Sequence, residues 1–224
     1  IGAPKCGTTA MSDYLSTHPD VFMSTPKEPN FFSSDIARTH FRTWGEYLKI
    51  FEKSEGEKVL AEASTTYLYS RQALVKLRAF APEAKIIIML RHPIELVRAY
   101  HSQKVLEGVE PEGDFGKAWS LEADRSCGRG VPKECVSSIE LQYGEIGRIG
   151  LRSKSVLEYY PKAQVHFVLL EDLAKDPRTE YLRVLNFLEV PDDGRDTFPR
   201  INKAKGHRSL WLGQAARRLR RRIG

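Results

Sequence analysis

The chain has 224 residues, 41% hydrophobic and 29% charged, which is enough apolar material to bury a core within one domain. Its net charge of +6 is concentrated: residues 201–224 hold eight Lys and Arg and no acid, so the first 200 residues sum to −2, which excludes a chain-wide basic surface of the kind that tracks nucleic acid. Apolar runs such as Ile86 to Leu90 and Val165 to Leu170 stop far short of the roughly 20 residues that a membrane-spanning helix needs, and three cysteines are too few for a disulfide scaffold.

The chain opens at Ile1-Gly2, without Met, on what reads as the end of a strand. A polypeptide that continues upstream, carrying any targeting information with it, is the expectation. With no span and no leader-like segment in these residues, a cytoplasmic placement is expected. Whether Cys127 and Cys135 pair across the Gly-containing segment between them is left open.

Strands alternate with helices at spacings that suit an α/β sheet. The expected strands are Val59 to Glu62, Lys85 to Leu90 and Gln164 to Leu170. Ile86-Ile87-Ile88-Met89-Leu90 is continuously apolar, as a parallel strand covered on both faces should be, and reads as the central strand. Helices are expected at Thr9 to Thr17, Gln72 to Phe80 and Pro93 to Gly108, the last from Ile94, Val97, His101 and Val105 at helical spacing. Others are expected at Ile139 to Tyr160, interrupted near Gly144 to Gly150, at Pro177 to Leu188 and at Ser209 to Arg222. Glu107 to Gly113 and Arg125 to Glu134 read as loops.

The N-terminal string Gly2-Ala3-Pro4-Lys5-Cys6-Gly7-Thr8-Thr9 joins a strand end to an amphipathic helix. In that layout backbone N–H groups and the helix dipole hold phosphate. Against the nucleotide-hydrolase pattern G-x-x-x-x-G-K-[ST], the glycines and the last Thr fit, but Thr8 stands where the Lys belongs and the cation has moved to Lys5. The central strand ends in Arg91, where a magnesium-dependent phosphoryl-transfer site of this architecture commonly places an Asp. A guanidinium suits a phosphate dianion and repels a metal, so the pair points to a metal-free anion site.

With Pro-Lys-x-Gly-Thr-Thr, the chain resembles the sulfotransferases that use 3'-phosphoadenosine 5'-phosphosulfate (PAPS), closest to their bacterial and heparan-sulfate-modifying branches. His18-Pro19-Asp20 and Lys27-Glu28-Pro29-Asn30-Phe31-Phe32 carry the likeness further. The resemblance implies that Lys5, Cys6, Gly7, Thr8 and Thr9 hold the phosphosulfate, largely through main-chain donors, with Lys5 near the bridging oxygen. It implies that Arg91, in Arg91-His92-Pro93, takes the 3'-phosphate. The Ser that the family carries eight residues after this Arg is Ala99 here, and Ser102 lies nearly one turn further on. Lys205, Gly206, His207 and Arg208 resemble the basic loop that closes over the 3'-phosphate and adenine. The later run Arg217 to Arg222 reads as a solvated charged face, with contact to an anionic surface as the alternative.

Sulfuryl transfer to a hydroxyl needs positive charge on the leaving phosphate and a base for the acceptor proton. Lys5 supplies the first. Glu28 is the candidate base: it lies between Val21-Phe22-Met23 and Phe31-Phe32, where partial burial would raise its basicity, and its counterpart in similar Lys-Glu-Pro-x-Phe-Phe sequences is the catalytic carboxylate. Read without the family, Glu28 is an exposed loop acid. Lys27 is a candidate for steering the acceptor, and His40 is the runner-up base. His18, His101 and His166 read as packing residues. Glu62 to Tyr67 and Ile36 to Phe51 are assigned to the acceptor side, although the family usually has Pro at position 65. Glu171-Asp172 is the one candidate acidic pair for a metal; Asp172 reads instead as the cap of a short helix.

The expected architecture is therefore one α/β domain over residues 1–224, a three-layer, P-loop-like fold with a central parallel sheet. The expected activity is sulfuryl transfer from PAPS to a hydroxyl of a carbohydrate, lipid or small natural product, releasing 3'-phosphoadenosine 5'-phosphate (PAP), without metal and without nucleic acid as partner. The alternatives are a P-loop kinase or nucleotide hydrolase using Mg-ATP, and a non-catalytic nucleotide-binding module.

Overall fold

The structure is a computed structural model that describes residues 1–199 and 201. Lys205, Gly206, His207 and Arg208, with the C-terminal helix expected at Ser209 to Arg222, lie outside the described residues. The described backbone divides into two compact units: Ile1–His92 together with Ile149–Ile201, and Pro93–Arg148.

The first unit is built on parallel strands. β1 (Val21–Met23) pairs with β2 (Val59–Ala61), Val21 opposite Val59; β3 (Ile86–Leu90) pairs with β4 (Val165–Leu169), Ile86 opposite Val165. β3 is paired on its other edge as well. The Ile1 nitrogen donates to Ile87 O at 2.8 Å, Met89 N–H to Ile1 O at 3.2 Å and Ala3 N–H to Met89 O at 3.2 Å. Two-sided pairing is what its unbroken apolar run predicts, and Ile86, Ile88 and Met89 are buried. β1 is a strand that sequence reading took only as an apolar patch: at three residues it is too short for periodicity to register. Ile1, Met11 and Leu15 line a cavity of about 680 Å³ with Val59, Ile87 and Met89, so both parallel pairs border one apolar space.

The helices follow the expected positions closely. α1 (Thr8–Leu15) buries Met11, Tyr14 and Leu15. After α2 (Trp44–Leu48), α3 (Arg71–Phe80) begins at Ser70, whose hydroxyl accepts the Ala73 N–H at 2.9 Å. α2 itself was not anticipated. It opens on a capping box in which Thr43 and Glu46 satisfy each other's backbone N–H groups, and it contributes Trp44 and Tyr47 to an aromatic cluster with Phe31, Phe32 and Phe80.

The second unit opens with α4 (Pro93–Glu107), which buries Val97, His101 and Val105 of the expected stripe together with Leu96 and Tyr100, while Ile94 is exposed. The segment expected as a loop from Arg125 starts inside a helix: α5 (Phe115–Ser120) and α6 (Glu122–Ser126) precede the turns at Gly128 and Gly130. Arg125 is drawn into the interior by Glu110, whose carboxylate it grips at 2.7 and 2.8 Å, and Tyr143 adds a third donor at 2.6 Å. Such a buried pair is tolerable because both carboxylate oxygens and both terminal guanidinium nitrogens are matched at good distance, while Arg125 Nε is buried without a partner. Cys127 and Cys135 are both free; the Cys135 thiol donates to Ser137 O at 2.9 Å. α7 (Tyr143–Gly147) completes this unit and packs on α4, with Gly147 against Val97.

The first unit resumes at α8 (Ile149–Tyr159), and β4 leads into α9 (Leu170–Lys175) and α10 (Pro177–Leu188). The interruption between α7 and α8 falls within the expected stretch. Asp172 is not the cap of α9, contrary to expectation: Leu169 holds that position, and Asp172 sits in the first turn, where a carboxylate favours the helix dipole. The residue that caps with its side chain is Asp176, which accepts the Thr179 N–H at 3.1 Å ahead of Pro177.

Candidate active site

The loop from Gly2 to Gly7 is shaped by two positions where only glycine fits. A Cβ on Gly2 would stand 2.7 Å from the Met89 carbonyl oxygen, because the loop's strand runs hard against β3. Gly7 has φ 82°, and a Cβ there would meet Leu170 Cδ1 at 2.8 Å. Lys5 also has positive φ, 64°. Left-handed residues flanking Cys6 coil the backbone ahead of α1, and no side chain caps that helix start. Coiled N–H groups at an uncapped helix N-terminus suit an anion, and the loop carries its own ammonium in Lys5. Cys6 is buried, its thiol donates to Pro4 O at 3.6 Å, and burial pushes it up to about 12, so its sulfur stays neutral and only its backbone serves an anion. Thr8 and Thr9 open the first turn of α1.

Arg91, half-buried at the end of β3, reaches this loop: Nη1 donates to Lys5 O at 3.4 Å. A second contact, not foreseen, steadies the turn beyond it. Glu171 accepts the His92 N–H at 3.0 Å, so the acid considered as half of a metal pair braces the backbone next to Arg91. Among the described residues no group of three or more His, Cys, Asp and Glu is arranged to hold a metal. Ser102 donates to Arg98 O, one turn back on its own helix, at 3.0 Å.

Glu28 lies on the segment that follows β1. Its backbone N–H donates to Ala63 O at 3.0 Å, continuing the parallel pairing beyond the end of β2. Its φ is 60°, and that of Asn30 is 52°. Glu28 is not a freely exposed acid: Lys27 Nζ sits 3.1 Å from Oε1 and Thr65 Oγ1 donates to Oε2 at 2.8 Å. Of the four non-glycine residues with positive φ among the described residues, three are Lys5, Glu28 and Asn30. Such backbone is costly and persists where its surroundings over-determine it, a pattern concentrated at functional sites.

The segment Glu62 to Tyr67, assigned from the sequence to the acceptor side, makes contacts with the Glu28 segment that the sequence did not reveal. Ser64, Thr65, Thr66 and Tyr67 each contact the segment from Glu28 to Ser33. Beside them, burial pushes the Glu62 carboxyl up to about 7, while Tyr67 OH donates to its Oε2 at 3.3 Å. Thr8 at the start of α1 and Glu62, Ser64 and Thr65 beyond β2 line the same cavity.

The histidines divide as their settings dictate. His18 is buried, with Nε2 2.9 Å from Pro191 O and Nδ1 accepting the Asp20 N–H, and His101 is buried with Nε2 2.8 Å from Glu112 O. His166 stacks on Phe187, and burial lowers its pKa. His40 is exposed in the irregular segment before α2.

A parallel-stranded α/β unit whose coiled strand-to-helix loop runs into an uncapped helix start, with a lysine inside the loop and an arginine on it, defines the protein as one of P-loop-like architecture. Residues 1–204 match the sulfotransferase domain, and the chain belongs to that family. It is 26% identical over 223 residues to human heparan sulfate glucosamine 3-O-sulfotransferase 6, an alignment covering 98% of this chain and 60% of that protein. It is 27% identical to the bifunctional heparan sulfate N-deacetylase/N-sulfotransferase 1 of Caenorhabditis elegans, covering 92% of this chain and 23% of that protein. The chain thus spans at most about three-fifths of the length of these curated relatives. The solved sulfotransferase of Alicyclobacillus acidocaldarius superposes with a TM-score of 0.78 at 26% identity, covering 96% of this chain and 88% of that one.

Proposed function

We propose that this protein transfers a sulfuryl group from PAPS to a hydroxyl acceptor, with PAP as the nucleotide product. The observation that carries the reading is the convergence of a helix-start anion loop, its internal Lys5 and the Arg91 guanidinium at one point, Arg91 resting on the Lys5 carbonyl at 3.4 Å. The main chain from Cys6 to Thr9 holds the phosphosulfate, and the Lys5 ammonium offsets the charge that develops on the leaving phosphate. Arg91, with its fork of donors, takes the 3'-phosphate. Lys205, Gly206, His207 and Arg208 are proposed to contribute to the same nucleotide site.

Glu28 is the general base. As the acceptor oxygen attacks sulfur, the bond from sulfur to the bridging phosphate oxygen breaks, the electron pair stays on the PAP phosphate and the acceptor proton passes to the Glu28 carboxylate. Lys27, paired with Glu28 Oε1, is proposed to steer the acceptor. The names of the curated relatives favour a glycan hydroxyl over a lipid or a small natural product.

The test is transfer of label from [³⁵S]PAPS to an N-sulfated heparan-type oligosaccharide, run beside a panel of lipid and small-molecule alcohols, with calorimetry of PAP and of Mg-ATP. Labelled ester and PAP binding without magnesium are expected. Absence of transfer to every acceptor, or binding of Mg-ATP in place of PAP, overturns the reading. Glu28→Gln is expected to lower kcat by about 10²–10⁴-fold while PAP affinity is kept.

A further inference from the structure

The four hydroxyl residues after β2 do different jobs. Ser64 Oγ accepts the Asn30 N–H at 3.1 Å, Thr66 Oγ1 donates to Asn30 Oδ1 at 2.8 Å and lies 2.6 Å from Ser33 Oγ, and Tyr67 OH accepts the Phe32 N–H at 3.4 Å. These three hold the course of the chain from Asn30 to Ser33. Thr65 alone of the four reaches the carboxylate, donating to Glu28 Oε2 at 2.8 Å.

Thr65 is well suited to hold a fixed point. It is 8% exposed and opens a short 3-10 turn, Thr65–Leu68, whose Tyr67 and Leu68 are buried. Its β-branched side chain has few rotamers, so the hydroxyl starts in a restricted place. Glu28 is held at its backbone by Ala63 O, two residues before Thr65, so one short stretch of chain fixes both ends of the Glu28 residue. The other carboxylate oxygen faces Lys27, a side chain 27% exposed and on a long flexible stem. One oxygen is thus tied to a rigid partner and the other to a mobile one.

We propose that Thr65 is a positioning residue for the proton-accepting carboxylate: its hydroxyl locks Glu28 Oε2 and leaves Oε1, on the Lys27 side, to take the acceptor proton. This rests on Glu28 being the base. Without the Thr65 hydroxyl the carboxylate turns about its last torsion, which has no strong minimum of its own, and the fraction of time spent aligned with the acceptor falls.

Four variants of the full chain test this with [³⁵S]PAPS and the oligosaccharide above: Thr65→Val, Thr65→Ser, Glu28→Gln and the double variant Thr65→Val/Glu28→Gln. Thr65→Val is expected to lower kcat about 10–100-fold with PAP affinity and melting temperature close to those of the parent. Thr65→Ser, which keeps the donor, should restore most of kcat. Once Glu28 is Gln, Thr65→Val should add less than about twofold, because the two substitutions remove one function. Thr65→Ala replaces Thr65→Val should the latter not fold. Unchanged kcat in Thr65→Val, beside an inactive Glu28→Gln, overturns the proposal and leaves the base intact. An equal loss with and without Glu28, or a fall in melting temperature and PAP affinity in step with kcat, overturns it in favour of a packing role. Full turnover in Glu28→Gln instead overturns the base assignment.

Discussion

In the proposed reaction Arg91 and Lys5 divide between them the charge work that a bound cation performs in magnesium-dependent proteins of this architecture, and they do so with different chemistry. Lys5 is a compact point charge inside a coiled loop. Arg91 is a planar fork, braced from below because the next residue's N–H is held by Glu171. A lysine at position 91 keeps the charge but loses bidentate geometry and the contact to Lys5 O. Arg91→Lys is therefore expected to weaken PAP binding about tenfold or more by calorimetry, with little change in melting temperature; equal affinity would place the 3'-phosphate elsewhere. Lys5, Arg91 and Glu28 were legible as residue types at motif spacing. The contacts of Thr65 with Glu28 and of Glu171 with His92 were not, because they join residues 37 and 79 positions apart in the chain.

The junction of loop and helix depends on Gly7 more than on any side chain near it. Its φ of 82° and the 2.8 Å approach of Leu170 both oppose a methyl group. Gly7→Ala should lower stability by about 1–3 kcal/mol in denaturant unfolding and abolish measurable PAP binding. Adding Leu170→Ala should return some of the stability, since it removes the clash but not the backbone strain. Retained stability in Gly7→Ala would show that the loop has another conformation of similar energy. The long elements were readable from local pattern: α10 begins at its Asp-Pro cap and β3 follows its apolar run. β1 and α2 escaped notice, since a three-residue strand and a five-residue helix carry too few side chains to show a period and owe their existence to β2 and the aromatic cluster.

Glu62 couples the site to the stability of the first unit. Burial raises its carboxyl from 4.5 to about 7, so the folded chain binds more protons than the unfolded one between those values. Its favourable contribution is complete below about pH 4.5 and is lost as pH rises through 7. Glu62→Gln, which is neutral throughout, should therefore be more stable than the parent at pH 8 by on the order of 1–3 kcal/mol, with the difference vanishing near pH 4.5. Denaturant unfolding across that range checks it, and a pH-independent difference would mean that the carboxyl titrates as in water.

Anion chemistry, class of fold and family were carried by the chain as short-range information: Lys5 within a glycine-bounded loop, Arg91 at the end of an apolar strand, Lys27-Glu28-Pro29 before two phenylalanines. Those features survive in a string because their chemistry depends on neighbours a few positions away. The setting of Glu28 was settled by folding, which carries Ser64 to Tyr67 alongside the segment after β1 through parallel pairing of strands far apart in the chain. Burial at Glu62 and Cys6 arose the same way, since desolvation is imposed by side chains that meet only after the strands and helices have packed.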